Sequence, residues 1–381
     1  MVSAADFELA LQQNLLNQQV ELGLELGAKV EPLSAVYLDT RYWIILRDAQ
    51  RGVLGIRGRE LLGRLRGAVS SGQAFCPVSE ASLFEVSKQS EQGSRLETAA
   101  LMDELSRGIL VLDGQQRWST EIAHFIHTHA PGDTGPPPPL RRLVWTRPYG
   151  FLGFPVPTFS DLELSSALEV QHSLVARLWD ATSVSHLVEQ LAPWDDNEDF
   201  GELARQLNRD VGVHKHGLKS FQQTYSHEAA GAADISGDIA MAVVADMARA
   251  KGIEPPEPGS RHWLEFRQMW CGLIAAALRK GPPRQQLRSL HVGAALHAAF
   301  RWNKGQKFDV NDLFDFEHAG AALSHCQAFL TERPLAKTIT SGKVALDKLF
   351  ACQVIWDMDE AIAFIRTLSE GAAPDPRRSA P

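Results

Sequence analysis

The sequence predicts an α/β fold with a parallel sheet and a large all-helical insertion. Short apolar runs that suit strands alternate with helical segments over 31–114 and again over 304–370. Between these two parts, 115–303 has helical periodicity almost throughout. We therefore expect one core assembled from two separated parts of the chain.

The first part of the core follows a leading helix in 1–30, where apolar residues recur at helical spacing and Gly27 is a plausible C-cap. A strand at 35–38 then ends at Asp39, and Thr40 is a candidate cap for the next helix. The remaining elements of this part are a helix at 58–69, a strand at 74–78, a helix from Ser79, a helix at 94–107 and a strand at 108–113.

The insertion begins after residue 114, and its prolines 136–139 predict an exposed loop because neither a helix nor a central strand tolerates them. Its clearest helices are expected at 161–178, 235–250, 261–279 and 286–301. The second part of the core is expected to contain a helix at 311–324, a strand at 328–330, a helix at 332–339, a strand at 351–356 and a helix at 358–368. The tail, 371–381, is rich in proline and arginine and is predicted to be disordered.

Composition limits the classes of function. The 381 residues carry a formal net charge of −8, so nucleic-acid binding would require a local basic patch. The four cysteines form no Cys-x-x-Cys pair and suit reduced thiols, which predicts a cytoplasmic protein. The N-terminus lacks a signal-like segment and no window has about 18 apolar residues, so no membrane association is expected.

Acidic residues stand where predicted strands end. Asp39 ends the first strand, while Asp315 precedes and Glu332 follows the strand at 328–330. The carboxyl ends of parallel strands meet at one crevice, so these acids can lie together despite their separation along the chain. Asp312 and Asp315 share one helical face, and either could join the cluster. Such a cluster suits a hard divalent cation.

Four segments resemble, in order and spacing, the acidic motifs of PIN-like nucleases. Ser79 lies six residues before Glu85, and Asp315 lies sixteen residues before Thr331, as in that family. The segments are 36–40 (VYLDT), 77–85 (PVSEASLFE), 311–318 (NDLFDFEH) and 328–332 (AFLTE). The resemblance covers about 34–112 and 308–369 and leaves the insertion outside.

The resemblance implies a PIN-like three-layer core and a metal-dependent endoribonuclease. Asp39, Glu85 and Asp315 would be catalytic metal ligands, with Asp312 as the alternative to Asp315 and Glu332 as a fourth acid. The implied cofactor is Mg²⁺ or Mn²⁺, since both ions prefer oxygen ligands. Two such ions about 4 Å apart can activate water and stabilise the leaving oxygen of a phosphodiester.

RNA is the partner that the resemblance implies, and a local basic patch could bind it. Seven arginines between 41 and 66 face only two acids, although a solvated helix face explains them equally well. The candidate substrate-binding residues are Thr331, Arg41, Arg47 and His318. The helical insertion could bind a protein partner, and oligomerisation is possible.

Other interpretations stay open. Asp39 could be only a helix N-cap, and Glu85 could be a solvated residue paired with Lys88. A catalytically inactive PIN-like scaffold would bind RNA or protein without cutting. A phosphatase of the haloacid dehalogenase type also begins with a strand ending in Asp, but Arg41 stands where it would place a second acid.

Overall fold

The computed structural model of the protein describes residues 4–53, 55–129, 135–157, 159, 161–190, 197–214, 219–303 and 306–369. These residues form six strands and many helices. The strands are β1 (Ser34–Leu38), β2 (Ala74–Phe75), β3 (Leu110–Val111), β4 (Trp145–Thr146), β5 (Ala328–Leu330) and β6 (Gln353–Ile355). The fold is mostly helical with a small sheet, which confirms the predicted mixed α/β class.

The helices follow the strands in three groups. The N-terminal group is α1 (Ala4–Val30), α2 (Thr40–Gln50), α3 (Ile56–Ser70), α4 (Glu80–Ser87), α5 (Gln92–Ser106) and α6 (Gly114–His129). The insertion adds α7 (Pro148–Phe151), α8 (Leu164–Ala181), α9 (Val184–Gln190), α10 (Asn197–His214), α11 (Phe221–Ile235), α12 (Gly237–Ala250), α13 (Arg261–Leu278), α14 (Gly281–Arg284) and α15 (Arg288–Trp302). The C-terminal group is α16 (Val310–His325), α17 (Arg333–Thr340), α18 (Leu346–Phe350) and α19 (Met358–Ser369). None of the described helices is long and apolar enough to cross a membrane.

The main sheet has four parallel strands in the order β2-β1-β5-β6. β1 pairs with β5 from Val36 opposite Ala328 to Leu38 opposite Leu330. Two parts of the chain almost three hundred residues apart therefore share one sheet. β1 is buried along its whole length, as expected for a parallel strand covered on both faces.

Both faces of the sheet are covered, so the core has three layers. Tyr37 and Phe329 point into one buried apolar cluster, which also contains residues of α15, α16 and the insertion. Val36 and Leu38 point into a second cluster, formed with α2, α3, α5 and α19. The alternation follows from the two-residue period of a strand.

Two predicted details at the start of the chain are wrong. Gly27 is not a C-cap, because α1 continues to Val30 and a Cβ at Gly27 would overlap the backbone carbonyl of Arg142. Glycine is required there for close packing. Asp39, rather than Thr40, caps α2, since its side chain accepts a hydrogen bond from the Tyr42 amide.

The insertion is not entirely helical, which corrects the sequence prediction. It contains β4, which pairs antiparallel with β3, so the predicted strand at 108–113 joins a separate two-stranded sheet. A parallel bridge from Val78 to Leu110 links it to the segment that follows β2. Trp145 of β4 is buried edge-on against Phe75, with ring centroids 5.2 Å apart. The predicted tail, 371–381, lies outside the described residues.

Candidate acidic site

Asp39 and Thr331 lie side by side at the carboxyl ends of β1 and β5. Asp39 is 5% exposed, and its Oδ1 accepts a hydrogen bond from the Tyr42 amide at 3.0 Å. The neighbouring Thr331 side chain lowers the pKa of Asp39. The Thr331 amide in turn donates to the Ile355 carbonyl at 2.9 Å, which fixes Thr331 against β6. The sheet itself thus positions the first acid.

Glu85 reaches the same edge from α4 and is held from two sides. Its Oε2 accepts hydrogen bonds from Thr40 Oγ1 and from His318 Nε2, the latter at 2.7 Å. Burial alone would raise the pKa of Glu85. The hydrogen bonds and the positive charge of His318 outweigh burial and lower that pKa. Glu85 is therefore an ionised carboxylate with one oxygen already engaged.

His318 is an enclosed cation beneath the cluster. It is 2% exposed, and its Nδ1 lies 2.7 Å from the Tyr37 hydroxyl. Burial opposes its charge, but contacts with Tyr37 and Glu85 raise its pKa well above the ordinary value. In this charged form both ring nitrogens donate. The predicted contact of His318 with substrate does not fit this enclosure, and its observed contact is with Glu85.

Asp315 completes the cluster from α16. Burial raises its pKa to about 7, and repulsion from Asp39, Glu85 and Asp312 adds to this effect, while His318 opposes it. Burial likewise raises the pKa of Asp39 to about 6, against the influence of His318 and Tyr42. The carboxylates therefore lie close enough to affect each other's ionisation.

Asp312 is a capping residue of α16 and not a member of the acidic cluster. Its Oδ2 accepts a hydrogen bond from the Asp309 amide at 2.9 Å, and its own amide donates to Asp309 Oδ1 at 2.9 Å. This reciprocal pair is a capping box at the start of α16. Of the two candidates for the third acid, Asp315 is the one that lies with Asp39 and Glu85.

Glu332 and Arg41 stand at the rim of the site. Glu332 occupies the N-cap position of α17 without a side-chain capping bond. Its Oε1 lies 3.7 Å from Arg41 Nη1, and both side chains are about half exposed. Glu332 still contributes a repulsion that raises the pKa of Asp39. It is therefore an outer member of the cluster.

The predicted basic patch is largely neutralised. Arg47 is buried and donates to Asp48, Gln89 and Thr98, so it is not available to a substrate. Six of the seven arginines form ion pairs, most of them with acids remote in sequence. The pairs are Arg41 with Glu332, Arg47 with Asp48, Arg51 with Glu97, Arg57 with Asp359, Arg64 with Glu60 and Arg66 with Glu104.

Sequence reasoning did not single out Tyr37 as a functional residue. Its hydroxyl contacts Ser79 Oγ and His318 Nδ1, and it thereby connects β1, α4 and α16 beneath the acids. A signal was available, because a tyrosine inside the apolar run 35–38 needs a buried hydrogen-bond partner. Ser79 also caps α4 by accepting from the Ser82 amide.

The donor chemistry of the site suits a hard divalent cation, because three carboxylates from separate elements face one edge of the sheet. Within the described residues, however, no group of three or more His, Cys, Asp or Glu side chains is arranged to hold a metal ion. Binding a cation would require the carboxylates to approach each other, with Glu85 presenting its Oε1.

Comparisons of the chain with protein-family models, with curated proteins and with solved structures found no match.

Proposed function

We propose that this protein is a cytoplasmic, PIN-like, metal-dependent endoribonuclease that hydrolyses RNA phosphodiester bonds at the acidic site. The observation that supports the proposal most is that Glu85 bonds to Thr40, the residue after Asp39, and to His318, which lies one turn beyond Asp315 on α16. Carboxyl groups with strongly perturbed pKa values are frequent in functional sites. The carboxyl ends of the strands are also where open α/β sheets bind their ligands.

Each residue has a role in this proposal. Asp39, Glu85 and Asp315 would hold Mg²⁺ or Mn²⁺, which supplies charge neutralisation and polarisation of the phosphodiester. Thr331 lies beside Asp39 and favours its ionised form. His318 keeps Glu85 ionised and directs Oε2 inward. These groups act by holding carboxylates in place, and none of them has to attack the substrate.

Arg41 is the arginine that fits contact with a phosphate. Its partner Glu332 lies 3.7 Å away and both groups are well exposed, so the ion pair is weak and an RNA phosphate can replace it. Arg57 forms an equally exposed pair with Asp359, but Arg41 is the arginine whose partner, Glu332, borders the acidic site. We therefore expect recognition of a short segment next to the site.

The proposal is tested by incubating the purified protein with a mixed RNA pool in the presence of Mn²⁺ or EDTA. We expect cleavage with Mn²⁺, none with EDTA, and a loss of at least about 100-fold in Glu85→Gln and Asp315→Asn. Asp312→Asn is the matched control on the same helix and should keep most activity, since Asp312 serves the capping box. Cleavage that survives EDTA and the first two substitutions would exclude this function.

An inactive scaffold is the second candidate. Two observations favour it: no described group is arranged to hold a metal ion, and His318 already engages one oxygen of Glu85. Such a protein would bind RNA or protein without cutting. The phosphatase interpretation has less support, because Arg41 pairs with Glu332 and supplies no general acid.

A further inference from the structure

Trp356 directly follows β6, at the same edge of the sheet as the acidic site. Ile355, the last residue of β6, lies opposite Leu330 of β5. The ladder continues one residue further, since the Thr331 amide donates to the Ile355 carbonyl at 2.9 Å. Trp356 is therefore the neighbour of Thr331 at the carboxyl edge.

Asp39 lies in the same row, one strand further along this edge. Its amide donates to the Leu330 carbonyl at 3.0 Å, which extends the pairing of β1 with β5 in the same way. Neighbouring strands are about 4.8 Å apart, so the backbone of Trp356 lies about 10 Å from that of Asp39. Tyr37 and Val354 pack into the same apolar cluster. They stand two residues before Asp39 and Trp356, so the strand period assigns this pair to one face of the sheet.

The edge row thus consists of Asp39, Thr331 and Trp356, of which only Trp356 is exposed. Its exposed fraction is 39%, whereas Asp39 and Thr331 are 5% and 2% exposed. A lone exposed apolar side chain is common on protein surfaces. This one, however, stands at the end of a parallel strand, where open α/β sheets bind their ligands.

The backbone of Trp356 is fixed on both sides. Before it, the Ile355 carbonyl belongs to the sheet ladder. After it, Asp357 Oδ1 accepts hydrogen bonds from the amides of Asp359 and Glu360, at 2.9 Å and 3.1 Å, at the start of α19. A ligand that stacks on the indole therefore has little chain to order, which favours binding.

The charged side chains around the edge row suit the phosphates of a nucleic acid. Glu332, next to Thr331, pairs with Arg41 at 3.7 Å, and Asp359 pairs with Arg57 at 3.0 Å. Both arginine side chains are more than half exposed, so these pairs are weak and the arginines can turn to a phosphate.

We propose that Trp356 is a base-stacking residue and that the acidic site acts on single-stranded RNA, with one unpaired base lying on the indole. The inference rests on the proposed nuclease function for the chemistry of the site. A base can lie on an aromatic side chain only when it is splayed out of a helix, and such stacking tolerates every base. Arg41 binds a phosphate beside the stacked base. Duplex RNA does not fit this arrangement, because its bases stack on one another.

Fluorescence titration with a single-stranded oligoribonucleotide in EDTA tests the stacking, because metal-dependent cleavage is absent there. We expect RNA to quench the tryptophan emission, and this quenching should largely disappear in Trp356→Phe, which keeps a ring but loses the indole. The dissociation constant should rise at least about 5-fold in Trp356→Ala and stay close to the natural value in Trp356→Phe. The matched control is Trp263→Ala, at a half-buried tryptophan of α13, and should bind RNA normally. Circular dichroism verifies that each variant folds.

The state of the RNA strand completes the test. The same oligonucleotide annealed to its complement should bind more weakly and, with Mn²⁺, should be cut more slowly. Equal binding of both forms, or unchanged binding by Trp356→Ala, would overturn the inference even if the protein cuts RNA. Binding that depends on Trp356 without any cleavage in Mn²⁺ would support the stacking residue and overturn the nuclease proposal. A protein that binds no RNA would overturn both.

Discussion

Replacing Asp39 with asparagine should abolish RNA cleavage and leave the fold intact. Asparagine has nearly the same shape, and its side-chain oxygen can still cap α2 by accepting the hydrogen bond from the Tyr42 amide. It lacks the charge that a divalent cation requires. We expect the rate to fall about 100- to 1,000-fold, the effect typical of losing a directly acting electrostatic group. A folded Asp39→Asn variant with full activity would contradict the role of Asp39.

The same variant should be more stable than the natural protein at alkaline pH. The pKa of Asp39 is about 6 in the folded protein against an ordinary value of 3.8, because burial disfavours its charge. Ionisation therefore destabilises the folded state. The penalty is absent below pH 3.8, grows as pH rises, and is complete above pH 6. Its size is about 3 kcal/mol.

Urea unfolding at pH 4 and pH 8 measures this effect. The free energy of unfolding of Asp39→Asn should exceed that of the natural protein at pH 8, and the difference should shrink at pH 4. Asp309→Asn is the matched control, because Asp309 also caps a helix through its side chain but is exposed. If Asp39→Asn were less stable than the natural protein at both pH values, Asp39 would stabilise the fold as a helix cap, and its ionisation would not destabilise the folded state.

Replacing His318 with leucine should destabilise the protein by about 3 kcal/mol, the low end of the range for removing one member of a buried ion pair, because the Glu85 side chain keeps partial contact with water. The substitution leaves the Glu85 carboxylate without its 2.7 Å partner and the Tyr37 hydroxyl without its contact to Nδ1 of His318. Urea unfolding at pH 7 should show this decrease in the free energy of unfolding. It should be smaller when Glu85 is also changed to Gln, since the unpaired charge is then absent.

His325→Leu is the control for this prediction. His325 lies on the same helix and is equally buried, but its closest acid is Glu121 at 3.5 Å and, among described residues, its ring nitrogens make no hydrogen bond. Burial lowers its pKa, so the ring is neutral. Its replacement should have a much smaller effect. Equal losses in both variants would show that His318 matters through packing alone.

The strands and the acids at their ends could be predicted from the sequence. β1 is a continuous apolar run that ends at Asp39, and β5 ends directly before Thr331. The topological rule for parallel sheets then brings these ends together. The spacing along α16 limited the candidates for the third acid to Asp312 and Asp315. The capping box that occupies Asp312 involves Asp309, and this hydrogen-bond exchange became evident only in three dimensions.

Charge pairing and burial could not be predicted in the same way. The arginines between 41 and 66 looked like an unbalanced patch because their partners, such as Glu97 and Asp359, lie far along the chain. Arg47 sits among apolar helical residues, and only packing showed that it is buried. The short β4 was missed because two residues carry no periodic pattern. It depends on pairing with β3.

Titration of the purified protein with Mn²⁺, followed by electron paramagnetic resonance of the free ion, tests the central claim most directly. The account predicts saturable binding by the natural protein. Binding should be at least about 100-fold weaker in a double variant with Asp39→Asn and Asp315→Asn, whereas Asp312→Asn should bind normally. A folded protein that binds no Mn²⁺, or binds it equally well without Asp39 and Asp315, would contradict the nuclease proposal and leave the scaffold interpretation in its place.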